Sequence, residues 1–105
     1  MKSITVAELK AKQDKNEDFQ LIDIREGYEL DICQIGGEHL PMGEILENLD
    51  KISTEKEVIV HCRSGKRSAA VINALETQYG FTNLINLEGG ILAYAEQIDT
   101  TLSLY

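Results

Sequence analysis

Apolar residues form two alternating patterns along the chain. Short apolar runs predict buried strands, and apolar residues three or four positions apart predict helices. The predicted strands are 19–24, 57–62 and 84–87, with an extended piece at 39–41. The predicted helices are 5–15, the stripe Ile45, Leu46, Leu49 and Ile52, then 68–79 ending at Gly80, and a last one marked by Ile91, Leu92, Ala95 and Ile98. This alternation predicts an α/β domain with a parallel sheet.

The loop between the strand 57–62 and the following helix carries the most distinctive chemistry. It reads Cys62-Arg63-Ser64-Gly65-Lys66-Arg67-Ser68, so a thiol stands at the carboxyl end of a strand, where ligands of parallel sheets bind. Amide N–H groups at a helix N-terminus and three nearby cations favour the thiolate form of a cysteine. A reactive cysteine is therefore a better hypothesis for this loop than an inert packing residue.

Composition narrows the possible functions. The chain has 105 residues and a net charge of −8, which predicts a single domain over 1–105 and disfavours nucleic acid and anionic membranes as partners. Two cysteines are too few for a disulfide scaffold, and two histidines beside them match no zinc spacing, so we expect no metal and no cofactor. Without a secretory signal or a membrane span in the sequence, a cytoplasmic location is the expectation.

Four segments of the chain are informative as a set. They are Leu21-Ile22-Asp23-Ile24-Arg25-Glu26, Gly36-Gly37-Glu38-His39-Leu40-Pro41, the loop 62–68, and Leu87-Glu88-Gly89-Gly90-Ile91 with Ala93 and Tyr94. In this order and spacing they resemble the signatures of the rhodanese family. Tyr94 stands where the family usually has tryptophan, and Cys33-Gln34-Ile35 departs from the common Gly-His-Ile. The resemblance implies a three-layer α/β/α fold with a central parallel sheet of four to five strands. The Cys33 variant is more similar to rhodanese domains appended to adenylyltransferases that charge sulfur carriers.

The resemblance also implies a reaction. Cys62 would carry a sulfane sulfur as a persulfide, taken from thiosulfate or a protein persulfide and passed to cyanide, a thiol or a sulfur-carrier protein. Residues Arg63, Ser64, Gly65, Lys66 and Arg67 would bind the substrate, with Arg63 and Lys66 as the candidates for the donor anion. The expected activity is that of a thiosulfate:cyanide sulfurtransferase.

Several side chains have two possible roles at this stage. Arg67 is either catalytic or paired with an acidic residue behind the loop, and Asp23 and Arg25 are favoured as structural braces of the loop. Ser68 is expected to be the N-cap of its helix. Cys33 is favoured as a packing residue over a resolving thiol, and His39 and His61 as structural residues over proton carriers.

Two other classes of function remain as alternatives. A cysteine phosphatase or arsenate reductase shares the fold and a similar loop, but its motif is Cys-x5-Arg, whereas here Ser68 occupies that position and the arginine comes one residue earlier. A non-catalytic rhodanese-type binding module is disfavoured because Cys62 is present.

Overall fold

The computed structural model describes all residues from 1 to 105 and contains five strands and four α-helices. The strands are β1 (Lys2–Ile4), β2 (Phe19–Asp23), β3 (Glu38–His39), β4 (Glu57–His61) and β5 (Leu84–Leu87). The helices are α1 (Val6–Asp14), α2 (Gly27–Ile32), α3 (Lys66–Tyr79) and α4 (Gly90–Gln97), and Met42–Lys51 is a 3₁₀ segment. None of these helices is both long and apolar enough to cross a membrane.

All five strands form one parallel sheet in the order β1-β5-β4-β2-β3. The strand β4 lies at its centre, paired with β2 from Phe19–Glu57 to Asp23–His61. This register places the ends of β2 and β4 side by side, so that Asp23 and His61 are neighbours at the carboxyl edge of the sheet. The predicted α/β fold with a parallel sheet is confirmed.

Alternation along β4 divides the core into two layers, one on each face of the sheet. Val58, Val60 and Cys62 belong to a cluster with α3 and the 3₁₀ segment, whereas Ile59 belongs to a cluster with α1 and α4. Successive side chains of a strand point to opposite faces, which explains this division. The sheet is therefore covered on both sides, as the three-layer expectation required.

Three predictions about individual elements were wrong or incomplete. The strand β1 was not foreseen, because three residues with only one apolar side chain give no pattern. Helix α3 begins at Lys66 rather than Ser68. The predicted stripe at 45–52 is a 3₁₀ segment with a kink at Asn48, and Leu46 is 55% exposed instead of buried.

Candidate active site

Cys62 follows directly after β4 and is the first residue of the loop that leads into α3. Its side chain is only 1% exposed and lies in the core cluster on the α3 face. Gly65 has φ +98°, in the left-handed region that favours glycine, and forms the N-cap of α3. This turn folds the loop backbone around the sulfur atom.

Three groups of the loop surround Cys62 Sγ. The amide of Gly65 donates at 3.2 Å, the amide of Ser68 donates at 3.4 Å, and the Ser68 hydroxyl lies 3.5 Å away. Burial raises the pKa of the Cys62 thiol, but hydrogen bonds from the Ser68 hydroxyl and from the amides of Ser68, Gly65 and Ser64 oppose it and leave the pKa below its ordinary value. The loop therefore stabilises an anion at the sulfur.

Ser68 is the third residue of α3 and not its N-cap, so the predicted capping role was wrong. Because Gly65 ends the turn three residues earlier, the Ser68 side chain faces Cys62 and Asn86 instead of the helix end. Its hydroxyl donates to Asn86 Oδ1, and Asn86 Nδ2 donates to the carbonyl of Gly65 at 3.2 Å. The hydroxyl has one proton, which it can give either to Asn86 or to the sulfur. Asn86 thus ties the loop to the neighbouring strand β5.

Helix α4 holds the other side of the loop. The amide of Ile91 donates to the carbonyl of Cys62 at 3.0 Å, and the amide of Leu92 donates to the carbonyl of Arg63 at 3.1 Å. At Gly90 an added Cβ would lie 2.6 Å from the Cys62 carbonyl and 2.5 Å from that of Arg63. Only glycine allows this close approach of α4 to the loop. The carbonyls of Cys62 and Arg63 bond to α4, whereas the amides of Gly65 and Ser68 point at the sulfur.

Arg67 has an acidic partner behind the loop, which is Glu29 of α2. The guanidinium donates two hydrogen bonds to the carboxylate, at 3.0 and 2.9 Å. Glu29 is buried, and burial raises its pKa, but the bonds from Arg67 and from the Glu26 amide lower it to a net value below the usual range. Of the two roles considered for Arg67, this geometry favours the structural one.

Asp23 and Arg25 form a buried ion pair at the end of β2. The Arg25 Nη2–Asp23 Oδ2 distance is 2.7 Å, and Arg25 Nε also donates to Asp23 Oδ1 at 3.0 Å. Arg25 further donates to the carbonyls of Glu29 and Cys33. The predicted ion pair is present, but neither residue bonds directly to the loop 62–68. The pair reaches the loop through Glu29, which is the partner of Arg67.

The two remaining cations of the loop, Arg63 and Lys66, pair with no Asp or Glu side chain. Lys66 and Ser64 are exposed. Arg63 is half-buried, and its guanidinium lies 5.0 Å from the centre of the Tyr105 ring and donates to the Tyr105 carbonyl. Because Arg67 pairs with Glu29, Arg63 and Lys66 are the two loop cations without an acidic side-chain partner.

The other residues considered from the sequence lie around this centre without a bond to the sulfur. Cys33 is 8% exposed and is a free thiol. His61 is fully buried, with Nε2 3.7 Å from Asp23 Oδ2 and both ring nitrogens without a hydrogen bond. Burial lowers the pKa of His61 more than the Asp23 carboxylate raises it, which favours the neutral ring. His39 Nε2 lies 2.6 Å from the carbonyl of Arg25.

Three residues that contact the loop or its arginines were missed by the sequence reasoning: Glu29, Asn86 and Tyr105. Asn86 gave a weak signal, because it is a polar residue inside the apolar run 84–87. Glu29 is one acidic residue among 18, and Tyr105 lies 42 positions from Arg63, so neither could be selected from the local pattern.

Comparisons with known proteins identify the family of the sequence and of the fold. A family model of the rhodanese-like domain matches residues 5–97. The chain is 39% identical over 95 residues to "Putative sulfurtransferase YtwF" of Bacillus subtilis, covering 90% of each protein. A rhodanese-like domain protein from Staphylococcus aureus has a crystal structure with a TM-score of 0.84 and 33% identity, covering 100% of this chain and 99% of that one.

One relative is a larger protein. The chain is 32% identical over 106 residues to "Probable adenylyltransferase/sulfurtransferase MoeZ" of Mycobacterium tuberculosis, and it spans only 27% of the length of that protein. The match covers 98% of this chain, so the likeness concerns one part of MoeZ. With the family model covering nearly all of the sequence and the sheet matching solved rhodanese domains, this chain belongs to the rhodanese-like domain family.

Proposed function

We propose that this protein is a sulfurtransferase that carries a sulfane sulfur as a persulfide on Cys62. The observation that carries the proposal is the set of N–H donors around Cys62 Sγ, from Gly65 and Ser68. A persulfide is largely anionic at neutral pH, as is the attacking thiolate, and preorganised donors stabilise both without further rearrangement. The sulfurtransferase names of the relatives support the same class of reaction.

The proposed reaction has two displacement steps. The Cys62 thiolate attacks the outer sulfur of thiosulfate, a new S–S bond forms, and the S–S bond of the donor breaks with its electron pair leaving on sulfite. Cyanide or a thiolate then attacks the outer sulfur of the Cys62 persulfide. The product is thiocyanate or a new persulfide, and the Cys62 thiolate is restored.

Arg63 and Lys66 are the proposed binding groups for the donor anion. Neither pairs with an Asp or Glu side chain, although the protein has a net charge of −8. Charge-assisted hydrogen bonds to an anion contribute about 1.5–3 kcal/mol each. The physiological donor is proposed only by class, as thiosulfate or a protein persulfide, and the acceptor as cyanide, a thiol or a sulfur-carrier protein.

A phosphatase activity is less well supported by the same loop. The arginine that a Cys-x5-Arg loop presents to phosphate is replaced by Ser68. The arginine one residue earlier, Arg67, has its guanidinium bonded to Glu29. We therefore expect aryl phosphates to be poor substrates.

The decisive experiment is a mass spectrum of the intact protein after incubation with thiosulfate. We expect the mass of one added sulfur atom, removed by cyanide with release of thiocyanate. The Cys62→Ser variant should keep the fold, by circular dichroism, and gain no sulfur, while Cys33→Ser should be loaded like the wild type. Loading of Cys62→Ser, or no loading of the wild type, would contradict the proposal.

A further inference from the structure

Tyr105 links two arginines that come from different parts of the chain. Its hydroxyl accepts a hydrogen bond from Arg25 Nη1 at 2.9 Å. Its ring lies beneath the Arg63 guanidinium, 5.0 Å from the central carbon, and its carbonyl accepts a bond from Arg63 Nη2. The ring face and the carbonyl of one residue thus hold the same guanidinium, in the geometry of a cation–π contact.

The hydroxyl end of Tyr105 is attached to a rigid part of the molecule. Arg25 is completely buried and is fixed by Asp23 and by the carbonyls of Glu29 and Cys33. A side chain with this many partners keeps one conformation. Because Arg25 is fixed, its bond to the hydroxyl anchors Tyr105, and Tyr105 in turn contacts Arg63.

Arg63 differs from the other two arginines near the site. Arg25 and Arg67 each pair with an acidic side chain, whereas Arg63 pairs with none and bonds instead to the main-chain oxygen of Tyr105. Its Nε atom is buried and has no hydrogen-bond partner. A buried donor without a partner is unfavourable, and an anion bound beside the loop would supply the missing acceptor.

We propose that Tyr105 is a positioning residue that holds the Arg63 guanidinium with an unpaired N–H edge available to the anionic sulfur donor. The proposal deepens the proposed function and rests on it, because it assigns the donor-binding role to Arg63. Arginine loses considerable side-chain freedom when it binds a ligand, and a contact that orders it beforehand reduces that loss. Tyr105 accordingly acts on donor affinity through Arg63, without contacting the reacting sulfur.

The test is thiosulfate binding, measured by calorimetry in the Cys62→Ser background, where no sulfur can be transferred. We expect Tyr105→Ala to weaken binding by about ten-fold, the size of one desolvated cation–π contact together with a hydrogen bond. Tyr105→Phe keeps the ring and loses only the bond from Arg25 that anchors it, so it should weaken binding by a smaller factor than Tyr105→Ala, about two- to five-fold. Once Arg63→Ala is present, adding Tyr105→Ala should have no further effect, because the two residues act as one unit.

The matched control is Tyr28→Ala, which removes a tyrosine that is 66% exposed on α2. It should leave thiosulfate affinity unchanged. Equal affinity of Tyr105→Ala and its parent, additive effects in the double variant, or no measurable thiosulfate binding in the Cys62→Ser parent would overturn the proposal. Tighter binding in Tyr105→Ala would also overturn it and identify Tyr105 as a cover of the site. Failure of the proposed function is seen separately, as absence of persulfide on the wild-type protein.

Discussion

At the scale of single residues, the protein stabilises charge on a sulfur atom that is almost inaccessible to water. Burial of Cys62 acts against ionisation, and the donors of the loop act for it. Backbone amides are part of this set, so no single side-chain change can remove it. The Ser68 hydroxyl is the one donor that a substitution can take away.

Replacing Ser68 with alanine should raise the pKa of Cys62, because the hydroxyl is the strongest of the groups that lower it. The measurement is the rate of iodoacetamide alkylation against pH. The wild-type midpoint should lie below about 8.5, the value of a free thiol, and the midpoint of Ser68→Ala should lie above that of the wild type.

Thr77→Ala is the control for this experiment, since it removes a hydroxyl of the same helix that bonds to the carbonyl of Asn73. Its alkylation midpoint should equal that of the wild type. An unchanged midpoint in Ser68→Ala would show that the Ser68 hydroxyl donates its hydrogen bond to Asn86 and does not stabilise the thiolate.

At the scale of elements, the site is assembled where β4, β5, α3 and α4 meet. Asn86 of β5 fixes the Gly65 carbonyl, and the first turn of α4 fixes the carbonyls of Cys62 and Arg63. The conformation of the loop is therefore determined by elements that follow it in the chain. Changes in these elements should affect the reaction even where they do not contact the sulfur.

Gly90→Ala should destabilise the protein and abolish most sulfur transfer. The new Cβ would lie within 2.6 Å of two loop carbonyls, and φ at this position is +58°. Strain of this kind costs about 1–3 kcal/mol, and relief by movement of the loop would disturb the donors around Cys62. Urea unfolding and the steady-state rate with thiosulfate and cyanide measure the two effects.

The matched control is Gly43→Ala, at a glycine with no atom within 4 Å of an added Cβ. It should change neither quantity appreciably. If Gly90→Ala were as active as Gly43→Ala, the close approach of α4 to the loop would not matter for the reaction.

Asn86→Ala should slow the loading of Cys62 more than it affects folding. The substitution removes two hydrogen bonds that hold the loop, the one from Asn86 to the Gly65 carbonyl and the one from the Ser68 hydroxyl to Asn86. The Gly65 carbonyl keeps only its helical bond from the Ala69 amide, and each lost bond is worth about 0.5–1.5 kcal/mol. We expect a fall in kcat/KM for thiosulfate of about ten-fold or more. Asn73→Ala, at an exposed asparagine of α3, is the comparison and should retain wild-type kinetics.

The sequence predicted the features that depend on neighbouring residues, but not those that depend on contacts between distant segments. The elements with local signals were found, as with α1, where the Thr5 and Glu8 capping box is present as expected. The N-terminus of α3 was misplaced because a serine is a common N-cap, whereas the turn here is made by Gly65. The position of Cys62 follows from its own neighbours. The partners Glu29, Asn86 and Tyr105 depend on how distant segments meet, which no local pattern contains.

At the scale of the whole molecule, buried ionisable groups connect stability to pH. Burial raises the pKa of Asp23, but the hydrogen bonds and the charge of Arg25 lower it to a net value below its usual range. Burial lowers the pKa of His61. A group with a lower pKa in the folded state binds fewer protons there than in the unfolded chain. Folding stability must then fall as the pH falls.

We predict that the free energy of unfolding begins to decrease below about pH 6.5, the ordinary pKa of histidine, because the unfolded chain then protonates His61 and the folded one does not. The measurement is the free energy of unfolding, by heat or urea, between pH 8 and pH 5. The Cys62→Ser background is used because it removes the titrating thiol. In the same background, His61→Gln should delay the decrease until the carboxylates titrate, near pH 4. Identical slopes with and without His61 would refute the assignment.

The order of the sheet has a consequence for the newly made chain. The segment β1 pairs with β5, and the loop carbonyls bond to residues 91 and 92, so the first strand and the nucleophile both wait for the last third of the sequence. Translation delivers residues from the N-terminus onward. We therefore expect the donors around Cys62 to be held in place only after α4 has docked. A chain that stops before residue 90 should then show no activation of this thiol.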